Sequence, residues 1–422
     1  MKYTRKFAWT GMMLSALLMS ACSEATPSPA PPASERASPS DVSPSASATP
    51  NAKPVPSESP TEQAKEPTIR EATLLAVGDI MAHSPQLPAY YDHESNRYTF
   101  DPWFDQVKPI LQAGDWVFGN IETPLAGAEL KYSGYPRFNA PAELADAIAG
   151  AGFQIVSTAN NHTMDRGFPG VTRTLANVRK AGLVPVGTAS DPNDAKRITI
   201  EERNGIRMGF MAYTYGTNGI PIPEDKPFAV NLIDSAAMRE SIAELRRAGA
   251  DVVTVSLHFG LEYHRMPSDA QIGLAHELIA AGSDIVLGSH PHVVQPYERV
   301  HVPASESADG VERNGVVIYS MGNFISNQSG DWKDVGLIFG VGVKKTEQPD
   351  GTSATEITQV TTTPTWVHIQ TIAKQRHYTV IPMAQALAER NNATLSPQDY
   401  DKMKRLLDGI NEHLTQPVGT TK

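Results

Sequence analysis

The 422-residue chain contains one cysteine, Cys22. A single thiol excludes an intramolecular disulfide framework and a zinc site built from several cysteines. Two other signatures are missing, because the sequence has no Gly-x-Ser-x-Gly nucleophile elbow and no Gly-x-x-x-x-Gly-Lys phosphate-binding loop. These absences argue against a serine hydrolase of the elbow type and against ATP-dependent ligation by this chain.

Positive charge is also scarce. The chain has 36 lysine and arginine residues against 46 aspartate and glutamate residues, which gives a formal net charge of −10. An acidic protein is not drawn to nucleic acid or to an anionic lipid surface by its overall charge. We therefore expect no nucleic-acid partner. The hydrophobic content of 40% is nevertheless sufficient for a sizeable core.

Residues 1–21 have the pattern of a secretory signal peptide. Basic residues come first, and the apolar run that follows is too short to span a bilayer. The run ends at Ala21-Cys22, which resembles the lipobox of bacterial lipoproteins, although Met19 replaces the commoner leucine. We predict an extracytoplasmic protein anchored to the cell membrane through a lipid on Cys22; a leftover thiol is the alternative. Cleavage removes three positive charges and no negative charge, so the net charge moves from −10 to −13.

Residues 22–70 are rich in proline, serine and alanine and contain no aromatic residue. Such a segment cannot bury enough apolar surface to offset the entropy lost on ordering it. We predict a disordered stalk that separates one folded domain, residues 71–382, from the membrane. Residues 383–422 are predicted to form a tail with a helix over residues 403–414.

From residue 71 onward, strand-like and helix-like segments alternate. This order is typical of an α/β fold, in which functional residues gather at the carboxyl ends of the strands. The predicted strands cover residues 72–77, 116–118, 153–158, 206–214, 251–257, 284–287, 315–320, 335–343 and 356–363, with a short strand around residue 184. The predicted helices cover residues 141–150, 169–180, 235–247 and 270–281.

Five short polar clusters each follow a predicted strand. They supply carboxylate, amide and imidazole groups, which are ligands of catalytic divalent-metal sites. Imidazole ligands favour zinc, manganese or iron over magnesium and calcium. The clusters are Gly78-Asp79, Gly119-Asn120-Ile121-Glu122, Asn160-Asn161-His162, His258-Phe259-Gly260-Leu261-Glu262 and His290-Pro291-His292.

The histidines carry the strongest signal. Alternate residues of an extended segment point the same way, so His290 and His292 are expected to approach one metal centre together. His258 would arrive there from another strand end. Asp79 ends a buried strand, where an unpaired carboxylate is costly unless it meets a cation or hydrogen-bond donors. The plainer alternatives are a turn-capping aspartate and exposed histidines.

These clusters, together with Tyr319-Ser320-Met321-Gly322-Asn323-Phe324, resemble the CapA (poly-γ-glutamate) capsule-synthesis family, whose domain is similar to a calcineurin-type metallophosphoesterase. The motifs occur in the family's order across residues 77–324. The resemblance implies a four-layer α/β/β/α fold with two sheets packed between helices. It also implies a metal-dependent, hydrolase-like site.

The resemblance further implies roles for single residues. Glu122 would be a metal-bridging carboxylate, Asn161 a metal ligand and His162 the general acid that protonates the leaving oxygen. Asp165, three residues after His162, is placed to orient the imidazole ring. The alternative interpretation of Asn160 and Asn161 is an asparagine-rich turn. The complete set of predicted metal ligands is Asp79, Glu122, Asn161, His258, His290 and His292. Weaker candidates for substrate contact are Asn120, Asn160, Arg137, Arg166, Glu262 and Asn323, of which the arginines are alternatively solvated surface charges.

One position departs from the metallophosphoesterase pattern. An Asp-x-His pair is usual, whereas Asp79-Ile80-Met81 places a thioether where the histidine stands, and His83 lies two residues farther. CapA-type sequences share this difference. The sequence therefore permits one metal ion or two, and it weakens the expectation of efficient phosphatase activity.

The resulting hypothesis is a lipid-anchored surface protein whose metal-dependent domain acts in the synthesis, release or anchoring of a poly-γ-glutamate-like polymer. The alternative is a non-catalytic accessory subunit that binds the nascent polymer. The expected partner is the anionic surface polymer or its membrane synthase.

Overall fold

The computed structural model describes residues 66–419. The predicted signal peptide, the lipidation site at Cys22 and nearly all of the predicted stalk lie outside the described residues. Within residues 66–419, no helix has both the length and the apolar character needed to cross a bilayer. These residues belong to one compact unit.

Strands and helices alternate along the described chain, as the sequence predicted. The strands are β1 (Thr68–Ile80), β2 (Tyr91–Asp92), β3 (Arg97–Tyr98), β4 (Trp116–Ile121), β5 (Ile155–Ser157), β6 (Val184–Val186), β7 (Ile200–Arg203), β8 (Ile206–Thr214), β9 (Val252–His258), β10 (Ile285–Ser289), β11 (Tyr297–Val302), β12 (Arg313–Ile318), β13 (Asn323–Ile325), β14 (Val335–Glu347), β15 (Ser353–Ile372) and β16 (Gln375–Pro382). The α-helices are α1 (Lys108–Leu111), α2 (Glu143–Ala151), α3 (Gly167–Lys180), α4 (Pro192–Ala195), α5 (Ser235–Arg247), α6 (Asp269–Ala281), α7 (Met383–Glu389) and α8 (Pro397–Leu414).

Two large sheets form the framework. The first has the strand order β16-β15-β14-β1-β4-β5-β6, with β13 paired to β1, and the second has the order β11-β12-β10-β9-β8-β7. In the first sheet β1, β4, β5 and β6 run parallel. In the second sheet β8, β9, β10 and β12 run parallel. Parallel strands need cover on both faces, which explains why β4, β9 and β10 are buried at every position.

The two sheets pack face to face and helices cover their outer faces. Between the sheets, Phe118 of β4 stacks on Phe210 of β8 with ring centroids 6.3 Å apart. Helix α2 buries Leu144 against the outer face of the first sheet. Helices α5 and α6 bury Ile242 and Leu278 against the outer face of the second sheet. Each such side chain contributes about 1.5–3 kcal/mol of burial free energy. The predicted four-layer α/β/β/α fold is confirmed.

The termini of the long helices follow local sequence signals. Helix α6 starts at a capping box in which Ser268 and Gln271 satisfy each other's backbone donors, and it ends at Gly282 with a positive φ of 118°. The prediction for α3 began at residue 169, whereas the helix begins at Gly167. The predicted strand over residues 315–320 ends earlier, at Ile318, because the chain turns there toward β13.

The predicted helical tail packs on the sheets. Helix α8 starts at Pro397, before the predicted residue 403, because Ser396 and Asp399 form a capping box at its start. Its residues Met403 and Ile410 are fully buried in the cluster that also contains Trp366 of β15. The tail is therefore part of the hydrophobic core.

Candidate metal centre

The six predicted metal-ligating residues lie together at the carboxyl ends of parallel strands from both sheets. Asp79 is the penultimate residue of β1, and Glu122 directly follows β4. His258 is the last residue of β9, and His290 directly follows β10. Because these ends meet at one edge of the sandwich, side chains far apart in sequence converge there.

Glu122 is the most unusual of these residues. Its side chain is fully buried, and neither carboxylate oxygen has a hydrogen-bond partner among residues 66–419. Oε1 lies 3.6 Å from Nε2 of His258 and 3.7 Å from Nε2 of His292. Burial, together with the neighbouring Asp79 carboxylate, raises the pKa of Glu122 well above its usual range. A buried carboxylate without donors is costly unless a cation compensates it.

Asp79 is equally buried but has partners. Its Oδ1 accepts a hydrogen bond from Nδ2 of Asn120 at 2.8 Å, and its Oδ2 lies 3.2 Å from Nδ1 of His292. Asn120 also places Nδ2 3.3 Å from Nδ1 of His258. The predicted substrate contact Asn120 therefore lies among the metal-ligating residues, where its amide orients Asp79.

Two of the imidazoles are held neutral. Burial lowers the pKa of His258 well below its ordinary value and lowers the pKa of His290 to about 4. Burial also opposes protonation of His292, but the Asp79 carboxylate outweighs it and raises the pKa of His292. Nε2 of His258 lies 3.0 Å from Oδ1 of Asn161. Neutral imidazole is the form that binds a metal ion.

This donor set fits a divalent cation. The ligand atoms of Glu122, His290 and His292 lie within 4.8 Å of one another, and so do those of Asp79, Glu122 and His258. Glu122 belongs to both groups, as a bridging carboxylate would. Like the two oxygens of Glu122, Nδ1 of His290 is buried and has no hydrogen-bond partner in the described part of the chain. A cation bound by oxygen and nitrogen would satisfy these atoms.

The backbone conformation expected for the histidine pair was wrong. His290 and His292 do not lie on an extended segment, because both have positive φ angles, 98° and 58°. Their rings nevertheless come within 6.0 Å between centroids. A positive φ costs free energy in a non-glycine residue, and such strained residues recur at functional sites. A strained bend thus brings the two rings together.

His162 lies beside this group, and Asp165 contacts its ring. Its Nδ1 is 2.8 Å from Oδ2 of Asp165, which also accepts the backbone N–H of Phe138 at 2.6 Å. The Phe138 ring packs edge-on against the imidazole with centroids 4.7 Å apart. When Nδ1 donates to Asp165, Nε2 is left for proton transfer.

Asn160 and Asn323 take part in positioning. Oδ1 of Asn160 accepts the N–H of His162 at 3.1 Å, and its Nδ2 donates to the carbonyl of Ile121 at 2.8 Å. Asn160 thus forms the asparagine turn that was the alternative to a ligand role. The neighbouring Asn161 faces the metal-ligating residues. Oδ1 of Asn323 lies 3.0 Å from Nδ1 of His292.

The remaining predicted contacts lie at the rim. Glu262 is exposed, yet close enough that its charge raises the pKa of Glu122 further, after the larger effects of burial and Asp79. The Arg166 guanidinium bonds to the hydroxyl of Ser133 and to the carbonyl of Arg137. Arg166 therefore holds the loop beside Asp165, and Arg137 is exposed on that loop. Substrate contact by these residues stays a prediction.

Neither Met81 nor His83 completes the ligand set. Met81 is buried and offers only a thioether. His83 is absent from both donor groups found among residues 66–419. Its Nδ1 accepts the backbone N–H of Asn327 at 3.3 Å, its ring lies 5.0 Å from the Phe138 ring, and burial lowers its pKa to about 4.

One loop of the site was not predicted from the sequence. Tyr215 follows β8, and its ring centroid lies 4.7 Å from that of His290 and 6.4 Å from that of His258, to which it is nearly parallel. Asn218, three residues later, places its side-chain nitrogen 3.5 Å from Nδ1 of His162. The signal was present, because a polar, glycine-rich stretch follows a buried strand here as in the five clusters.

Two sheets packed between helices, with carboxylate, amide and imidazole groups at the strand ends, define a metallophosphoesterase-like domain. Residues 73–328 match the family described as bacterial capsule synthesis protein PGA_cap, and the chain belongs to that family. The recognition made from the motifs is therefore confirmed.

Two relatives and one solved structure align with this chain. The chain is 30% identical over 263 residues to the capsule biosynthesis protein CapA of Bacillus anthracis, covering 61% of this chain and 60% of that protein. It is 31% identical over 274 residues to the PGA biosynthesis protein CapA of Bacillus subtilis, covering 63% and 67%. The crystal structure of the calcineurin-like phosphoesterase YfkN from Bacillus subtilis aligns with a TM-score of 0.42 and 16% identity, covering 83% of this chain and 100% of that chain.

Proposed function

We propose that this chain is a cell-surface protein of capsule synthesis whose domain is a metal-dependent hydrolase acting on a poly-γ-glutamate-like polymer or its attachment. The single observation that carries the metal-dependent part is the fully buried Glu122, whose two unpartnered oxygens lie among imidazole rings. Family membership and the names of the CapA relatives support the capsule part.

Six residues would hold the cation, which we propose to be manganese, zinc or iron, as one ion or two. A cation bound there supplies Lewis-acid polarisation of the scissile phosphoryl or carbonyl group. Asp165 orients His162 through Nδ1, so that Nε2 donates a proton to the departing atom. The six are Asp79, Glu122, Asn161, His258, His290 and His292.

We further propose an extracytoplasmic location, with a lipid on Cys22 and residues 22–70 as a stalk. The basic and apolar pattern of residues 1–21 supports this location. A lipid anchor would keep the domain close to a membrane synthase and to the polymer made by that synthase. Since the mature chain is acidic, a polyanion would need local cations such as the exposed Arg137.

An accessory, non-catalytic role is the second candidate. The observation that favours it is Met81, which stands buried where metallophosphoesterases usually carry a histidine ligand. In this case the domain would bind the nascent polymer or its synthase, and a metal ion would serve structure alone.

The substitution His162→Ala separates the two candidates. The hydrolase proposal expects loss of hydrolysis of phosphoesters or γ-linked glutamate polymers, with metal content unchanged, because His162 is outside the ligand set. The matched control is His301→Ala, at an exposed histidine of β11. Full capsule production in cells carrying His162→Ala would contradict the hydrolase proposal and support the accessory role.

A further inference from the structure

The loop of residues 215–219 lies between the metal-ligating residues and His162. It starts where the backbone N–H of Tyr215 donates to the carbonyl of His258 at 3.1 Å. Asn218, near its other end, approaches His162. The loop therefore borders both the metal-ligating residues and the general acid.

The Tyr215 ring is held firmly but is not enclosed. It packs on His290 and lies parallel to His258, while 49% of the residue remains exposed. An exposed aromatic side chain that rests on two buried histidines is in contact with both the site and the solvent. Its hydroxyl is thus accessible to a molecule bound at the metal centre.

The Tyr215 hydroxyl also has a free donor. The nearby Asn161 turns its Oδ1 toward Nε2 of His258, at 3.0 Å, so this oxygen does not compete for the hydroxyl proton. A phenol O–H can donate to one acceptor. The proton is therefore available to an acceptor bound beside the metal-ligating residues.

The residues around the Tyr215 hydroxyl are mainly hydrogen-bond acceptors. The predicted metal ligands are carboxylates, an amide oxygen and imidazoles, which bind a cation by accepting and leave few donors for an anionic substrate. Hydrogen bonds to a charged acceptor are shorter and stronger than those between neutral groups. We propose that the Tyr215 hydroxyl donates a hydrogen bond to an anionic oxygen of the substrate, a phosphoryl oxygen or a glutamate carboxylate, held at the metal centre. This proposal rests on the proposed metal-dependent function.

The test is Tyr215→Phe, which removes the hydroxyl and keeps the ring that packs on His290. Inorganic phosphate and a short γ-linked glutamate peptide are titrated by calorimetry into manganese-loaded protein. We expect about tenfold weaker binding or more for at least one probe, as for a lost hydrogen bond to a charged group. The manganese content should not change. Tyr91→Phe is the matched control, since Tyr91 is not one of the site residues and its hydroxyl donates to Oδ1 of Asn96 at 2.9 Å.

The outcomes are distinct. Weaker phosphate binding assigns the hydroxyl to a phosphoryl oxygen, and weaker peptide binding assigns it to a carboxylate. Equal affinities of the wild type and Tyr215→Phe for both probes overturn the proposal, as does manganese-loaded wild type that binds neither probe. A wild-type protein that takes up none of manganese, zinc and iron overturns the proposed function, and this proposal with it; a protein that takes up only zinc or iron is titrated with that metal bound.

Discussion

The side-chain oxygen of Asn323 lies 3.0 Å from Nδ1 of His292, and the Asn323 nitrogen donates to the carbonyl of Lys333 at 2.8 Å. The second bond fixes which end of the amide faces the histidine. Nδ1 of His292 therefore donates to Asn323, and Nε2, which lies 3.7 Å from Oε1 of Glu122, is free to bind a cation.

Substitution Asn323→Ala should weaken metal binding about 10–100-fold, because the orienting partner of a ligand histidine is lost. Competition with a chelator of known affinity measures this change. Asn314→Ala is the matched control, since Asn314 makes the same contact with the exposed His301 at 3.0 Å. Equal metal affinity of the Asn323 variant and the wild type would contradict the assignment.

Glu122→Gln should separate metal binding from stability. The neutral amide removes a buried carboxylate that repels Asp79, so the metal-free variant should be at least as stable as the metal-free wild type. Metal at about 100 times its dissociation constant should stabilise the wild type by about 2.7 kcal/mol and leave the variant unchanged. Thermal unfolding with and without chelator measures both effects. An equal metal-dependent rise in Tm for the variant would refute a ligand role for Glu122.

Most of the site residues were predictable because they are polar and such residues are rare in a hydrophobic core. Polar residues such as Asn161 and His258 stand at the end of a buried strand or a few residues after it, and a shared sheet edge then brings them together. The role of Asn323 was not predictable in this way. It depends on β13 pairing with β1 so that Asn323 stands opposite Asp79, which is a non-local register.

Other structural features were not predicted from the sequence, for different physical reasons. The left-handed bend at His290 and His292 is set by tertiary contacts, and residue spacing does not reveal it. The strands β11 and β16 were not predicted, since edge strands with mixed burial lack a continuous apolar run. The four-layer arrangement came from the resemblance, because strand order within a sheet is not encoded in local periodicity.

Acid should weaken the attachment of α8. Nε2 of His413 lies 2.8 Å from the carbonyl oxygen of Arg265, and burial lowers the pKa of His413. Since the folded state takes up this proton less readily than the unfolded state, stability is full above the ordinary histidine pKa and falls as the pH drops below it. Denaturant unfolding at pH 7 and pH 5 should show this loss. His413→Gln should reduce it, whereas an unchanged pH dependence would contradict the account.

Met403→Ala tests whether the tail is part of the core. Met403 is fully buried with Trp366, so the truncation should lower the free energy of unfolding by about 2–5 kcal/mol. The neighbouring exposed Lys404→Ala should change it by less than about 0.5 kcal/mol. A loss as small for Met403→Ala as for the control would mean that α8 is not held in the folded protein.

The most direct test of the metal centre is elemental analysis of the purified protein after loading with manganese, zinc or iron. We expect one or two bound ions per chain in the wild type and in His301→Ala. We expect these ions to be lost in the double variant Glu122→Gln, His292→Ala. A wild-type chain that binds none of the three metals, or a double variant that retains the wild-type content, would contradict the proposed metal centre.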